Sequence, residues 1–464
     1  MNFSKVCSIV IISLLIVLIS CTKSKGPTES TVTGPPVIES ITPSSGSELG
    51  GTIITISGSN FHPEASVKFG NILVTNLERE SAYKISAMTP PHSIGTVDVV
   101  VSNPGDESSR LIDGFKFFFA LFGQRIIYDV NNPTALFSID LDLDGDIDII
   151  SAGVSVLLNN GDGTFATKVD YDAGLSIAHI FCTDLDNDND IDIAVTNYDN
   201  RQISILLNND DGTFASKVQY GVGAGPVGIF SADLDGDGDN DLVVTNSDRD
   251  NLSSGGVNST ISVLLNNGNG TFAQKVDYFA GEYANSVFIV DLDGDEDKDL
   301  AVAADGKLSV LRNNGNGTFM EMEEYTVEAT GRIISCADLD EDGDYDVVVV
   351  TIGGTHDVSI LLNNGDGTFA LQAAYTISGD WHKLSIADLD GDEDKDIVTS
   401  SGNGSVVSLL LNNGDGTFAP KMDFEAGNST SGLITADFDG DGDNDLAVGN
   451  RIQNTVSVLF NQTK

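Results

Sequence analysis

The stretch ADLDGDGDNDLVV, residues 232–244, places five aspartates within nine positions and runs directly into a β-branched apolar segment. Like charge packed so densely beside a buried strand is unfavourable unless something neutralises it. The same nine-residue pattern recurs as DLDLDGDID from Asp140, DLDNDNDID from Asp184, DLDGDGDND from Asp233 and DLDGDEDKD from Asp291. It continues as DLDEDGDYD from Asp338, DLDGDEDKD from Asp388 and DFDGDGDND from Asp437, which makes seven copies spaced 44 to 58 residues apart. A second motif alternates with the first: LLNNGDGTF from Leu157, LLNNDDGTF from Leu206, LLNNGNGTF from Leu264, LRNNGNGTF from Leu311, and LLNNGDGTF from Leu361 and from Leu410. A period of this length is the signature of a propeller or a similar repeat architecture.

The composition agrees with a folded, exported, all-β chain. Of 464 residues 40% are hydrophobic and the mean hydropathy is zero, which is globular rather than disordered. The formal charge of −47 does not reside in a tail, because the seven motifs hold more than half of the 70 acidic residues. Acid placed periodically among apolar strands implies bound cations. The same charge argues against nucleic acid as a partner.

The N-terminus reads as an export signal, residues 1–20, with Lys5 ahead of an apolar run from Ser8 to Ile19 that is too short to span a bilayer. Leu18, Ile19, Ser20 and Cys21 resemble the lipobox of bacterial lipoproteins, which implies acylation of Cys21 and a lipid anchor in the cell envelope; Thr22 after the cysteine is compatible with sorting to the outer membrane, the expected location. An ordinary cleaved signal and an uncleaved hydrophobic anchor are the alternatives. Residues 21–35 are expected to be a tether. Cys182 and Cys336 each stand two residues before the first aspartate of their repeat. Equivalent positions in separated repeats cannot come within the roughly 7 Å that a disulfide requires, so both are expected to be buried free thiols.

Residues 36–118 carry short alternating strands separated by Gly, Pro, Asn and Ser turns, the pattern of a β-sandwich. With Pro43, Gly46, Gly50, Gly51, Gly58, Phe61 and Pro90 the segment resembles an IPT/TIG immunoglobulin-like domain, which implies a spacer or binding module. From residue 120 to 464 each repeat reads as four strands; in the third these are VGIFSADL, DLVVTN, TISVLLN and FAQKVDY. Seven such units form a seven-bladed β-propeller. The repeats resemble the FG-GAP/VCBS repeats of bacterial surface proteins and of the integrin α-subunit head. The expected fold class is therefore all-β, an Ig-like β-sandwich followed by a seven-bladed propeller. The seventh unit ends at VSVLFNQTK without a fourth strand, and LFGQRIIYDV, residues 121–130, is expected to supply it from the other end and close the ring.

In a tight loop, carboxylates at positions 1, 3 and 5 converge, position 7 offers a backbone carbonyl, and Asp at position 9 completes an oxygen cage suited to calcium. No His or Cys enters the set, which disfavours transition metals. The expected ligands are Asp140, Asp142, Asp144 and Asp148 in the first loop, and Asp184, Asp186, Asp188 and Asp192 in the second. Asp233, Asp235, Asp237 and Asp241 form the third set, and Asp291, Asp293, Asp295 and Asp299 the fourth. The last three are Asp338, Asp340, Asp342 and Asp346; Asp388, Asp390, Asp392 and Asp396; and Asp437, Asp439, Asp441 and Asp445. An EF-hand, the nearest alternative, needs a Glu at position 12 and flanking helices, and position 12 is never Glu here; aspartates acting only as solvated turn residues are the non-metal alternative. Position 6 is expected to be left-handed and so to favour glycine; Asn189 is tolerable there, and Glu296 and Glu393 depart from the pattern.

With the strand before the aspartate loop innermost, as the resemblance implies, the aspartate loops and NNGDGT turns share one face. Variable loops, including residues 246–260, occupy the other. Trp381 and His382 enter the sixth inner strand on that face; they are candidate ligand-binding residues, with partial burial in packing as the alternative reading. Two functions remain open: a calcium-stabilised surface protein that binds a protein or glycan ligand, or a calcium-dependent polysaccharide lyase. Five scattered histidines and only 23 basic residues form no catalytic constellation and no basic cleft, which favours binding.

Overall fold

The computed structural model describes residues 34–47, 52–93, 95–105, 107–118, 121–123, 125–247, 258–327, 329–352, 357–379 and 383–463. The lipobox with Cys21, the tether up to residue 33, residues 248–257, and Trp381 with His382 lie outside the described residues. The chain divides into two compact units, Met1–Ala120 and Leu121–Lys464, and all regular structure among the described residues is β.

In the first unit one sheet takes Val37–Thr42, Ile53–Ser59, Lys84–Met88 and Leu77–Ser81, and a second takes Ser45–Ser47, Ser108–Phe118, Gly95–Ser102, Ser66–Phe69 and Ile72–Leu73. Period-two alternation sends Ile54, Ile56, Val67, Phe69, Val99, Val101, Phe115 and Phe117 into one core, all fully buried. Phe69 meets Phe115 edge-on at 5.1 Å. Each such side chain contributes roughly 1.5–3 kcal/mol by leaving water.

Among the described residues the second unit contains seven four-stranded antiparallel sheets. In the third repeat the strands are Pro226–Ala232, Asp241–Asn246, Asn258–Leu264 and Val276–Glu282, in sequence order across the sheet. The second strand of each repeat is buried on both faces, because it lies between neighbouring sheets, and this explains its unbroken apolar run. The first strands of the repeats neighbour one another in a closed cycle, the seventh touching the first, which is the ring of a β-propeller. The fourth strand of the third repeat begins at Val276, later than its apolar pattern predicts: Phe272 forms only an isolated bridge to Asn266, and the chain between them turns along the edge.

Ring closure follows the expected course. Ile126–Asp129 pairs with Thr455–Leu459 in register Ile126↔Val458 to Asp129↔Thr455, completing the sheet that holds the chain's last strands. Phe122 bridges Asn461 just as Phe165 bridges Asn159 in the first repeat. Around the ring, an aromatic on each fourth strand, or directly after it in the first repeat, meets the Phe of the next turn edge-on. Tyr171 meets Phe214, Tyr220 meets Phe272 and Tyr278 meets Phe319, at 5.2 to 5.3 Å. Phe424 against Phe122 and Tyr128 against Phe165 carry this staple across the joint between the two ends. Cys182 and Cys336 are free and buried.

Candidate metal centre

Each aspartate loop is a compact turn built around its first carboxylate. In the third loop Asp233 accepts through Oδ1 from the Gly236 amide at 2.8 Å and through Oδ2 from the Gly238 amide at 3.0 Å. The Oδ2 contact from position 6 recurs in all seven loops. The carboxylate at position 5 accepts from the position 7 amide throughout, as Asp237 does from Asp239 at 3.0 Å. Winding the backbone so tightly requires left-handed residues. Position 6 is left-handed in every loop, including Asn189 at φ 72° and Glu296 and Glu393 at 77°. Position 4 is left-handed as well, a feature the sequence reading missed because Leu143, Asn187 and Glu341 occupy it in three loops.

Asp at position 9 is the most buried member and ties the loop to its sheet. Asp241 Oδ2 accepts from the Leu234 amide at 3.0 Å and Oδ1 from the Asn266 amide at 2.7 Å. Both contacts recur in all seven repeats. Position 9 therefore carries a structural role beyond the expected one of completing an oxygen cage. The first Asn of the NNGDGT turn had no expected role at all. Its Nδ2 donates to the position 8 carbonyl of its own loop and to the position 2 carbonyl of the preceding one, as Asn266 does to Asn240 O at 2.9 Å and Leu185 O at 2.8 Å. The series closes where Asn159 donates to Phe438 O and Asn461 to Leu389 O, so seven asparagines link the loops into a hoop. Its regular recurrence was the available signal; the partner on the neighbouring repeat was not visible in the chain order.

Positions 1, 3 and 9 come together. In the first three loops, oxygens of Asp140, Asp142 and Asp148, of Asp184, Asp186 and Asp192, and of Asp233, Asp235 and Asp241 lie within 4.8 Å of one another; Asp291, Asp293 and Asp295 do so in the fourth. These sets can hold a metal ion, and a test of fit is available in the unpaired oxygens. Oδ1 of the position 3 carboxylate is buried without a hydrogen-bond partner in Asp142, Asp186, Asp235, Asp293, Asp340 and Asp390. Oδ1 of Asp140 and Asp338 is likewise alone. A buried carboxylate oxygen with no donor is costly, and a hard cation satisfies it. Without an ion the crowding raises the carboxyl pKa values: burial, with Asp142 and Asp144 adding repulsion, pushes Asp148 up to about 7, and burial likewise pushes Asp241 up to about 6. Burial, aided by Asp392 and Asp388, raises Asp390 to about 6.

A profile of the FG-GAP-like repeat matches residues 140–195, 184–244, 291–349, 338–399 and 388–448, more than half of the chain. The chain belongs to the FG-GAP-like repeat family. An IPT/TIG domain profile matches residues 36–117. No curated protein matches this FG-GAP chain. Among solved structures it is similar to BBS1N from its complex with ARL6DN, at 15% identity and TM-score 0.51, over 74% of this chain and 97% of that one. A lectin from Agrocybe aegerita that recognises non-reducing terminal N-acetylglucosamine aligns at 20% identity and TM-score 0.45, over 87% and 97% of the two chains. An auxiliary nutrient binding protein from Bacteroides ovatus aligns at 12% identity and TM-score 0.38, over 94% and 100%.

The FG-GAP loops of repeats four and six share the sequence DLDGDEDKD, so any difference between them comes from their surroundings. Arg312 replaces the leucine found in the other turn motifs, and its Nη1 lies 2.6 Å from Asp293 Oδ2. A guanidinium on a ligand carboxylate opposes a second cation. Arg312→Leu is therefore expected to tighten calcium at the fourth loop by about tenfold, one pKa-unit equivalent of interaction, while leaving the sixth unchanged. Relief of the left-handed penalty in Glu393→Gly, about 1 kcal/mol, is expected to tighten the sixth loop by roughly fivefold. Calorimetric calcium titration of both variants reads the two changes; identical isotherms contradict them.

Proposed function

We propose that this FG-GAP protein is a lipid-anchored binding protein of the cell envelope, outer membrane included, whose propeller is held by calcium and recognises a protein or glycan ligand. The carrying observation is the set of unpaired, buried carboxylate oxygens repeated around one end of the ring. Calcium is favoured over magnesium because each loop offers several carboxylate oxygens, which suits a cation that takes many oxygen ligands better than one that demands a near-ideal octahedron. An end committed to metal leaves recognition to the opposite one, where connecting loops differ in length and composition from repeat to repeat. Trp381 and residues 248–258 are the proposed contacts there.

Binding of the purified protein to glycan and protein arrays, with and without calcium, tests the reading. Saturable calcium-dependent capture that is lost in Trp381→Ala or on deletion of 248–258, with melting unchanged, supports it. Accumulation of cleaved polysaccharide over many turnovers replaces it with the lyase alternative. For the anchor, Cys21→Ser is expected to move the protein from the membrane to the soluble fraction, because the tether has no apolar stretch of its own. Retention on membranes contradicts lipidation.

A further inference from the structure

The inner strands enclose a cavity of about 200 Å³ whose wall takes residues from all seven of them, so it lies on the propeller axis. The wall is two-sided. Three residues before the first aspartate, repeats one to four carry Phe137, Phe181, Phe230 and Phe288. Their rings touch in series with centroids 5.0, 4.6 and 4.8 Å apart, and each is only partly buried despite its place at the centre of the fold. Phe230 and Phe288 line the cavity itself. Repeats five and six carry Ser335 and Ser385 at the same position, so the aromatic arc faces a hydroxyl-bearing wall.

Two residues further from the aspartate loops, Lys383 and His179 line the same cavity from the sixth and second inner strands, which are not neighbours in the ring. They nevertheless lie close enough to interact: burial and then the charge of Lys383 push the His179 imidazole down to about 3. Burial alone pulls Lys383 down to about 8; no carboxylate counters it. Among the described residues none forms an ion pair with Lys383, in a chain with 70 acidic residues available. Nδ1 of His179 is buried and lacks a hydrogen-bond partner. A cation with no ion-pair partner among the described residues and an unpaired ring nitrogen beside an apolar arc are costly away from water and complementary to one class of ligand.

We propose that the axial cavity binds a small organic carboxylate bearing an apolar group. The carboxylate meets the Lys383 ammonium and the Nδ1–H tautomer of neutral His179, and the apolar group lies against Phe230 and Phe288. No proton is transferred and no bond is made. The site is separate from the aspartate loops, and the proposal stands whether or not the outer loops recognise a partner.

Titration calorimetry on the calcium-loaded full chain, with benzoate as probe in chloride-free buffer, tests it. Benzoate is expected to bind at one per chain, with acetate, which lacks the ring, and benzyl alcohol, which lacks the charge, each at least tenfold weaker. Lys383→Met is expected to weaken benzoate at least tenfold while melting no lower than the parent, since it removes a half-buried charge that has no ion-pair partner among the described residues. Should that variant fail to fold, His179→Leu carries the test and is expected to weaken benzoate severalfold. Absence of saturable benzoate binding, or unchanged affinity in the variant that folds, overturns the proposal. Acetate binding as tightly as benzoate overturns the aromatic half of it.

Discussion

Removing calcium from the purified protein is expected to lower its melting temperature by about 10–15 °C and to broaden the transition. At free calcium ten times the dissociation constant each site adds about 1.4 kcal/mol, so seven independent sites add roughly 10 kcal/mol. That is comparable to the whole stability of an ordinary domain, and the shift follows from the unfolding entropy of a unit this long. The metal-free protein should also respond to pH in a defined direction. Folding raises the position 9 carboxyls to about 6 or 7, chiefly through burial, in all seven loops. The unfolded chain titrates near 3.9, so between roughly pH 4 and 7 the folded state binds more protons and stability falls as pH rises. Metal-free protein should therefore melt higher at pH 5 than at pH 8, and calcium should flatten that slope by holding the carboxylates ionised. Scanning calorimetry at both pH values, with and without calcium, reads both effects; melting that ignores calcium contradicts the first.

Cutting the chain between the two ends of the ring is expected to have an equally large effect. A chain beginning at Leu121 retains Ile126–Asp129, which pairs with the last strand, and Phe122, which stacks on Phe424. One beginning at residue 131 loses both, together with the Tyr128 ring that covers Phe165. The strand Thr455–Leu459 then becomes a bare edge beside buried Val456 and Val458. Because each sheet packs on two neighbours, an open joint weakens the whole ring. The longer chain should melt cooperatively, and the shorter one should lose its cooperative transition or aggregate. Equal melting of the two would show that the joint contributes little.

Much of this architecture is legible in the chain because each repeat carries its own aspartate loop and turn, and period-two burial marks its strands. Even the ring closure can be read, since residues 121–130 match a strand type that the seventh repeat lacks. What escapes the sequence is what one repeat does to another. The first Asn of each turn looks like a turn former, yet its side chain bonds the preceding loop, some 70 to 80 residues away in the middle of the ring. Position 4 of the loop is left-handed at Leu143 and Glu341, residues whose identity argues against that conformation, so only the backbone reveals it. Arg312 reads as a variant leucine until its guanidinium is found on Asp293. Lys383 and His179 look unrelated in the chain, and only the closed ring brings them to one cavity.

The central claim is that each aspartate loop holds a calcium ion, and counting the ions tests it most directly. Equilibrium dialysis of the full chain against buffered calcium, followed by elemental analysis, should approach seven calcium ions per chain at saturation, with the fourth loop filling last because of Arg312. Replacing Asp235 with Asn, which keeps the shape but removes a ligand charge, should lower the count by one. A count that levels off well below seven at millimolar free calcium would contradict the account.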